Sequence, residues 1–409
     1  TSIEHPWFKA SLSPEENEFT HRYIWTDRAW KGFENVGNIK GCIRGLSDRD
    51  GSCAANYYTT QPALNYGFYK VTESWQKDMH SPEAMATREA IKDIMRFWLG
   101  MGCDGFRVDM AGSLVKYDEL SQDFLRFLDE EFPEAAMISE WGQPDKSLEG
   151  GYHMDFLLHF GPSYYMDLFR SEHPYFKRDG KGNIGDFVRT YQANYDKTNG
   201  KGLICIPSGD HDMTRIKEKL DDEEVKIAFA FLLSMPGAPF IYYGDEIGMN
   251  YLAGIRSVEG GYERTGARSP MQWDNTTNAG FSSAKPEDLY IMIDPDKNRP
   301  TVEAQMAEEN SLFHEVQKLI RIRLDHEALQ SNAPLEFLYA EDNAYPLVYK
   351  RTGETETIVI ALNPSDQEVS CKIDEQDGKE VLYSNNGEAV LKDGTLTVPP
   401  ASASFIKIK

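Results

Sequence analysis

The stretch GFRVD at residues 105–109 decides the fold class. It begins a mostly apolar run of strand length at 105–111, and a helical pattern at 82–99 comes directly before it. In a strand, alternate side chains share a face, so Arg107 and Asp109 point the same way. The stretch therefore predicts a buried strand that ends in a charged pair.

Outward from this stretch, short apolar runs alternate with helical ones. The sequence predicts strands over 105–111, 135–141, 152–160, 202–207 and 240–243. It predicts helices over 82–99, 118–132, 184–195, 223–235 and 311–324. This alternation is typical of βα units that form a parallel sheet.

The two ends of the chain have a different character. Residues 1–80 carry many Trp, Tyr, Gly, Asn and Asp residues and no long helical period. From residue 331, short alternating runs such as 346–349, 357–362 and 403–408 are separated by Asn-Gly and Asp-Gly turns, which predicts antiparallel β structure. We therefore expect three parts, over 1–80, 81–330 and 331–409.

Four carboxylates lie at or just past predicted strand ends: Asp109, Glu140, Asp212 and Glu246. The gaps are 140 − 109 = 31, 212 − 140 = 72 and 246 − 212 = 34 residues. One βα unit takes about 30–35 residues, so the longest gap corresponds to two units. The carboxylates recur in the register of barrel strands, and the C-terminal rim of such a barrel is where its enzymes keep their chemistry.

Each motif has a functional and a structural interpretation. Arg107 would favour the ionised form of Asp109, as a nucleophile needs, but a structural ion pair explains the two residues at least as readily. Trp141 beside Glu140 would raise the pKa of a general acid, but a rim Glu next to a packing Trp is about as good an explanation. Taken together, two carboxylates in different protonation states indicate cleavage of a glycosidic bond.

The composition excludes several classes of protein. The chain has 43 Lys and Arg against 66 Asp and Glu, a net charge of −23, so its surface repels nucleic acid and anionic membranes. No run approaches the roughly 18 apolar residues of a membrane-spanning helix. We expect a neutral or cationic partner and make no prediction of oligomeric state.

The cysteines and histidines give no sign of a metal site. Five cysteines without CxxC pairs or zinc spacing fit a reducing compartment, so a cytoplasmic location is expected. Cys42 and Cys53 could pair, although free thiols are favoured. His211 and Asp212 stand together without a second His or Cys at ligand spacing, so no metal and no cofactor are predicted.

Three of these motifs, in order and at suitable spacing, resemble main motifs of the α-amylase superfamily, glycoside hydrolase family 13: GFRVD at 105–109, MISEW at 137–141 and SGDHD at 208–212. QPALN at 61–65 resembles a minor motif, with Ala63 where Asp is common. RSPMQW at 268–273 resembles a segment of the oligo-1,6-glucosidase and trehalose-synthase branch.

The resemblance implies roles for individual residues. Asp109 would be the nucleophile, Glu140 the acid/base and Asp212 the stabiliser of the transition state. Arg107 and His211 would bind sugar at the cleavage site, and Arg268 would help to recognise the non-reducing end. The ring of Trp141 suits stacking on a sugar, although packing in the core explains it equally well.

The resemblance also implies an architecture and an activity. We expect a (β/α)8 TIM barrel with a domain B insertion over 1–80, the barrel over 81–330 and a C-terminal β domain over 331–409. The activity would be that of a retaining glycoside hydrolase on α-glucosidic bonds of oligosaccharides or starch-derived glucans. A trehalose synthase or another transglycosylase is the alternative, and a non-catalytic scaffold of the family is a remote one.

The sequence departs from the family pattern in two places. The first main motif, a strand that ends in Asn-His, is absent. The Lys-His that follows the nucleophile motif in calcium-dependent α-amylases is replaced within MAGS at 110–113, so calcium is possible but not indicated. With 82–99 as the third barrel helix, we expect the first three strands, about one hundred residues, to lie upstream of Thr1.

Overall fold

The structure is a computed structural model that describes residues 1–33, 39, 41–45, 47–56, 58–113, 117–198, 200–257 and 264–409. The chain divides into two compact units. The first comprises Thr1–Glu140 and Glu149–His153, and the second comprises Trp141–Leu148 and Met154–Lys409.

The described residues among the first eighty contain little regular structure. Their elements are a short helix, α1 (Pro6–Ser11), and an antiparallel pair of strands, β1 (Gly41–Ile43) and β2 (Cys53–Ala55). The side chains of Phe8 and Tyr23 pack with residues of both strands in a small apolar cluster. Ile43 lies opposite Cys53, and Cys42 and Cys53 are free thiols.

Helix α2 (Pro82–Gly100) confirms the predicted helix. Its start follows from the Ser81 hydroxyl, which accepts the Ala84 N–H at 3.2 Å, and from proline at the first helical position. Phe97 and Trp98 belong to the apolar period of this helix, yet these residues are 59% and 50% exposed. Ala84 and Leu99 are buried instead.

Strands β3 (Gly105–Val108) and β4 (Ala136–Ser139) form a parallel pair, and two of the three predicted catalytic residues, Asp109 and Glu140, directly follow them. Helix α3 (Tyr117–Glu131) lies between them in the chain, which completes a βαβ unit. The strands approach so closely that a Cβ at Gly105 would lie 2.1 Å from the Ala136 carbonyl oxygen. Glycine is therefore required where this strand begins.

The second unit repeats the pattern. Strands β5 (Met154–Phe156) and β6 (Leu203–Cys205) are parallel, with Asp155 opposite Ile204. The other α-helices of the described residues are α4 (Pro144–Glu149), α5 (Met166–Phe169), α6 (Gly185–Thr198), α7 (Asp222–Ser234), α8 (Val302–Ala307) and α9 (Leu312–Asp325). A capping box between Asp221 and Glu224 begins α7.

The prediction of a strand over 240–243 is wrong. Phe240 forms a single parallel bridge with Pro207, and no described residue continues the ladder. The N–H of Tyr242 donates to the Ser208 hydroxyl at 2.9 Å instead of to a neighbouring strand. Gly244 then turns the chain with φ 84°, so the apolar run ends too early to form a strand.

The predicted antiparallel strands near the C-terminus are confirmed. They are β7 (Leu335–Tyr339), β8 (Leu347–Thr352), β9 (Thr357–Asn363), β10 (Val369–Lys372), β11 (Glu380–Asn385), β12 (Val390–Lys392), β13 (Thr395–Val398) and β14 (Ser402–Lys407). They form a five-stranded sheet, β11-β14-β9-β8-β7, and a three-stranded sheet, β10-β13-β12. Val359, Leu396 and Ile406 belong to the core cluster between them.

The predicted boundaries near residues 80 and 331 stay predictions, as do the barrel strands expected upstream. Across the described part of the chain, none of the helices has the length and apolar character needed to cross a membrane.

Candidate active site

Arg107 joins two of the three predicted catalytic carboxylates. Its Nη1 donates to Asp109 Oδ1 at 2.9 Å, and its Nη2 lies 2.7 Å from Glu140 Oε1. The geometry follows from the register of the two strands, because Arg107 in β3 lies opposite Ile138 in β4. Asp109 follows Arg107 by two residues, and Glu140 follows Ile138 by two residues. One guanidinium therefore holds both carboxylates at the C-terminal ends of β3 and β4.

The two carboxylates differ in exposure. The Asp109 side chain is 72% exposed, whereas that of Glu140 is 10% exposed. The Glu140 N–H donates to the Val108 carbonyl at 3.0 Å, and Oε2 accepts the Met110 N–H at 3.0 Å. The pair thus combines an accessible carboxylate with a buried and fixed one.

Burial raises the pKa of Glu140, and the neighbouring Asp109 carboxylate raises it further. The Met110 N–H and the Arg107 guanidinium oppose this rise, because both favour the ionised form. The net direction is upward, so Glu140 keeps its proton to a higher pH than an ordinary glutamate. That is the property a general acid requires.

Trp141, which follows Glu140 in the chain, is only 8% exposed. Its backbone N–H donates to Asp155 Oδ1 at 3.2 Å. A ring buried to this extent has little surface left for stacking, and its predicted contact with sugar stays a prediction.

In the second unit, two guanidinium groups and an imidazole lie next to the Asp212 carboxylate. Its Oδ1 accepts hydrogen bonds from Arg264 Nη1 at 2.6 Å and Arg268 Nη2 at 2.8 Å, and its Oδ2 lies 3.4 Å from His211 Nε2. Burial alone would raise the pKa of Asp212, but His211, Arg264 and Arg268 together lower it. The carboxylate is therefore kept ionised.

A buried ion pair supports the loop that carries His211 and Asp212. Arg215 Nη1 donates to Asp245 Oδ1 at 3.0 Å, and neither side chain has any exposed surface. The Ser208 hydroxyl donates to Asp245 Oδ2 at 2.8 Å, and Arg170 Nη2 donates to the Ser208 carbonyl at 2.6 Å. These bonds fix the chain where it leaves β6.

Arg264 is the site residue that sequence reasoning missed. It precedes the short 3-10 helix Thr265–Ala267 and stands four residues before Arg268, so one turn brings both guanidinium groups to Asp212. That spacing was the only signal in the sequence. The contact of Arg268 with sugar stays a prediction. In the structure, Arg268 Nε donates to the His211 carbonyl at 2.7 Å.

The fourth carboxylate of the sequence pattern, Glu246, lines a separate pocket of about 420 Å³ with Tyr243, Arg268 and Trp273. Burial raises the pKa of Glu246. Among the described residues, no three His, Cys, Asp or Glu side chains come together as metal ligands.

Comparison with known proteins assigns the family. Residues 1–332 match the family model for the alpha amylase catalytic domain. The chain belongs to the α-amylase family. The family and branch suggested by the motifs are thereby confirmed.

Two curated relatives of this α-amylase family member are named for different enzyme activities. The oligo-1,6-glucosidase of Parageobacillus thermoglucosidasius is 26% identical over 460 residues, which cover 94% of this chain and 77% of the relative. The trehalose synthase/amylase of Mycobacterium tuberculosis is 26% identical over 428 residues. These cover 89% of this chain and 65% of that relative, so the match spans about two thirds of its length.

The crystal structure of the trehalulose synthase from Pseudomonas mesoacidophila superimposes with a TM-score of 0.79 at 19% identity. The superposition covers 100% of this chain and 82% of the synthase. It shows the fold, a TIM-barrel catalytic domain with a C-terminal β domain. The match to the family model and the similarity to the two curated enzymes identify the chain as an enzyme of the family that acts on α-glucans.

Proposed function

We propose that this chain is a retaining glycosidase that cleaves α-glucosidic bonds of oligosaccharides or starch-derived glucans. The observation that carries the proposal is the bridge from Arg107 to an exposed carboxylate, Asp109, and a buried one, Glu140. A retaining mechanism needs a nucleophile and an acid/base in this combination, with their carboxyl groups about 5–5.5 Å apart.

In the first step, Asp109 attacks the anomeric carbon while the bond to the leaving oxygen breaks. Glu140 gives its proton to that oxygen, so the leaving group departs as a neutral alcohol. The raised pKa of Glu140 and its low exposure support this assignment. The high exposure of Asp109 supports its role as the group that reaches the substrate.

In the second step, the ionised Glu140 takes a proton from water, and the water oxygen attacks the glycosyl-enzyme. Asp109 leaves as a carboxylate, and two inversions give net retention. A sugar hydroxyl in place of water would give transfer instead of hydrolysis. The chemistry at Asp109 and Glu140 is the same in both cases.

Asp212 is proposed to stabilise the positive charge that develops on the sugar in the transition state. An ionised carboxylate is needed for this role, and the three neighbours that lower the pKa of Asp212, namely His211, Arg264 and Arg268, support it. Arg107, His211, Trp141 and Arg268 are the proposed contacts to sugar.

The alternative is an isomerase or transglycosylase. The similarity to a trehalose synthase/amylase and the shared fold with a trehalulose synthase favour it. Products from maltose, isomaltose and maltoheptaose separate the candidates, with Asp109→Asn as the inactive control. Glucose as the main product supports the hydrolase, and trehalose or another isomeric disaccharide supports the isomerase. If no substrate reacts, the remote scaffold interpretation stands.

A further inference from the structure

Met110, the residue after the proposed nucleophile, adopts a left-handed backbone conformation. Its φ is 48°, a region that residues other than Gly, Asn and Asp rarely occupy. The methionine side chain is unbranched and 37% exposed, so packing of this side chain does not explain the conformation. Strained backbone of this kind is often found where function requires a particular geometry.

The left-handed turn has a visible consequence. It directs the Met110 N–H to Oε2 of Glu140 at 3.0 Å, while Arg107 Nη2 lies 2.7 Å from Oε1. Each oxygen of the Glu140 carboxyl group therefore has one donor from the segment 107–110, which is the end of β3 and the turn after it. Two donors from one segment fix both the position and the plane of the carboxyl group.

We infer that the left-handed backbone of Met110 positions the acid/base carboxyl group of Glu140. Met110 is thus a positioning residue that acts through its backbone N–H and not through its side chain. The inference rests on the proposed function, because it concerns the same glutamate.

The hydrogen bond should be visible in the pH dependence. An N–H donor stabilises the ionised carboxylate, and the Met110 N–H opposes the rise in the pKa of Glu140 that burial causes. The charged groups that act on Glu140 in this unit are Arg107 and Asp109, and replacement of Met110 removes neither of them. Loss of the N–H bond alone should therefore raise the pKa of Glu140.

The experiment compares Met110→Val, Met110→Ala and Met110→Gly with the wild-type chain, using kcat/KM for maltose across pH. A β-branched residue disfavours φ near +48°, so Met110→Val should lose the N–H bond to Glu140. The alkaline limb of the kcat/KM profile should then move up by about one pH unit. Met110→Val should also lower kcat/KM by roughly tenfold or more, because the acid is misplaced. Met110→Gly adopts this φ freely and should keep the alkaline limb in place.

Met110→Ala separates the side chain from the backbone, since it removes the thioether and keeps the Cβ. Its alkaline limb should stay closer to that of Met110→Gly than to that of Met110→Val. A Met110→Val limb that coincides with the wild-type limb would overturn the inference, as would a Met110→Gly limb that moves as far as that of Met110→Val. If Met110→Val does not fold by circular dichroism, Met110→Thr takes its place, because it is also β-branched and disfavours φ near +48°. Its alkaline limb should move as that of Met110→Val would, and a limb that coincides with the wild-type limb would overturn the inference.

Failure of the proposed function is recognised separately. In that case the wild-type chain itself shows no cleavage or transfer of α-glucosidic bonds, or Glu140→Gln retains full activity on maltose. An active wild-type chain with the same pH profile in all three Met110 variants would refute the positioning role alone.

Discussion

Replacement of Arg107 by glutamine should remove the one group that holds both proposed catalytic carboxylates. The guanidinium lies 2.9 Å from Asp109 Oδ1 and 2.7 Å from Glu140 Oε1. Without it, Asp109 loses a charge-assisted donor, and Glu140 keeps only the Met110 N–H among the donors described above. Both carboxylates should become less well placed for reaction.

The size of the effect follows from exposure. A hydrogen bond to a charged group contributes about 1.5–3 kcal/mol when shielded from solvent. The Arg107 side chain is 37% exposed and that of Asp109 is 72% exposed, so solvent screening leaves little free energy in the contact between them. The contact from Arg107 to Glu140 is assigned the lower end of this range. A total of about 2 kcal/mol lowers kcat/KM about thirtyfold.

The assay is kcat/KM for an α-glucoside across pH, with Arg96→Gln as the matched control. Arg96 also bridges two carboxylates, Glu131 and Asp93, and its side chain is 35% exposed. Loss of the cation near Glu140 raises the pKa of that carboxyl group, so the alkaline limb of Arg107→Gln should move to higher pH. Equal activity in the two variants, or a limb that moves to lower pH, would refute the reasoning.

Three further changes test other parts of the site. Glu140→Gln should lower turnover of maltose by about 10²–10⁴-fold and largely spare α-glucosyl fluoride, whose leaving group needs no proton; equal losses on the two substrates would show that the role is misassigned. Arg215→Met should cost about 3–5 kcal/mol in the free energy of unfolding measured with urea, because it leaves Asp245 buried and unpaired, and Arg215→Met/Asp245→Leu should recover most of this loss. A loss below about 1 kcal/mol for the single variant would contradict the importance of the pair. Arg264→Gln should raise the pKa of Asp212, because it removes one of the groups that lower this pKa. Since Asp212 is ionised only above its pKa, the acidic limb of the kcat/KM profile should move toward neutral pH. A move of this limb to lower pH would contradict the contact.

The strand-end residues could be predicted from the sequence because their positions depend on local rules. Alternation along a strand places Arg107 and Asp109 on one side, and the parallel register of β3 and β4 brings Glu140 to the same guanidinium. The spacing of βα units gave the order of the strands.

The residues missed by sequence analysis belong to loops or depend on tertiary partners. Arg264 directly precedes a 3-10 helix of three residues, which is too short for periodicity in the sequence to indicate which way a side chain points. The run at 240–243 looks like a strand, but Gly244 and the Ser208 hydroxyl give its backbone another path. The period of apolar residues at 82–99 predicted helix α2 correctly. Such a period does not show which of these residues are covered by other parts of the chain.

The measurement that tests the central claim most directly is the anomeric configuration of the first product. Asp109 as nucleophile requires two successive inversions, so proton NMR at early times should show α-glucose from an α-glucoside, followed by slow mutarotation. Asp109→Asn should give no product under the same conditions. If β-glucose forms first in the wild-type reaction, the double displacement at Asp109 and Glu140 is contradicted.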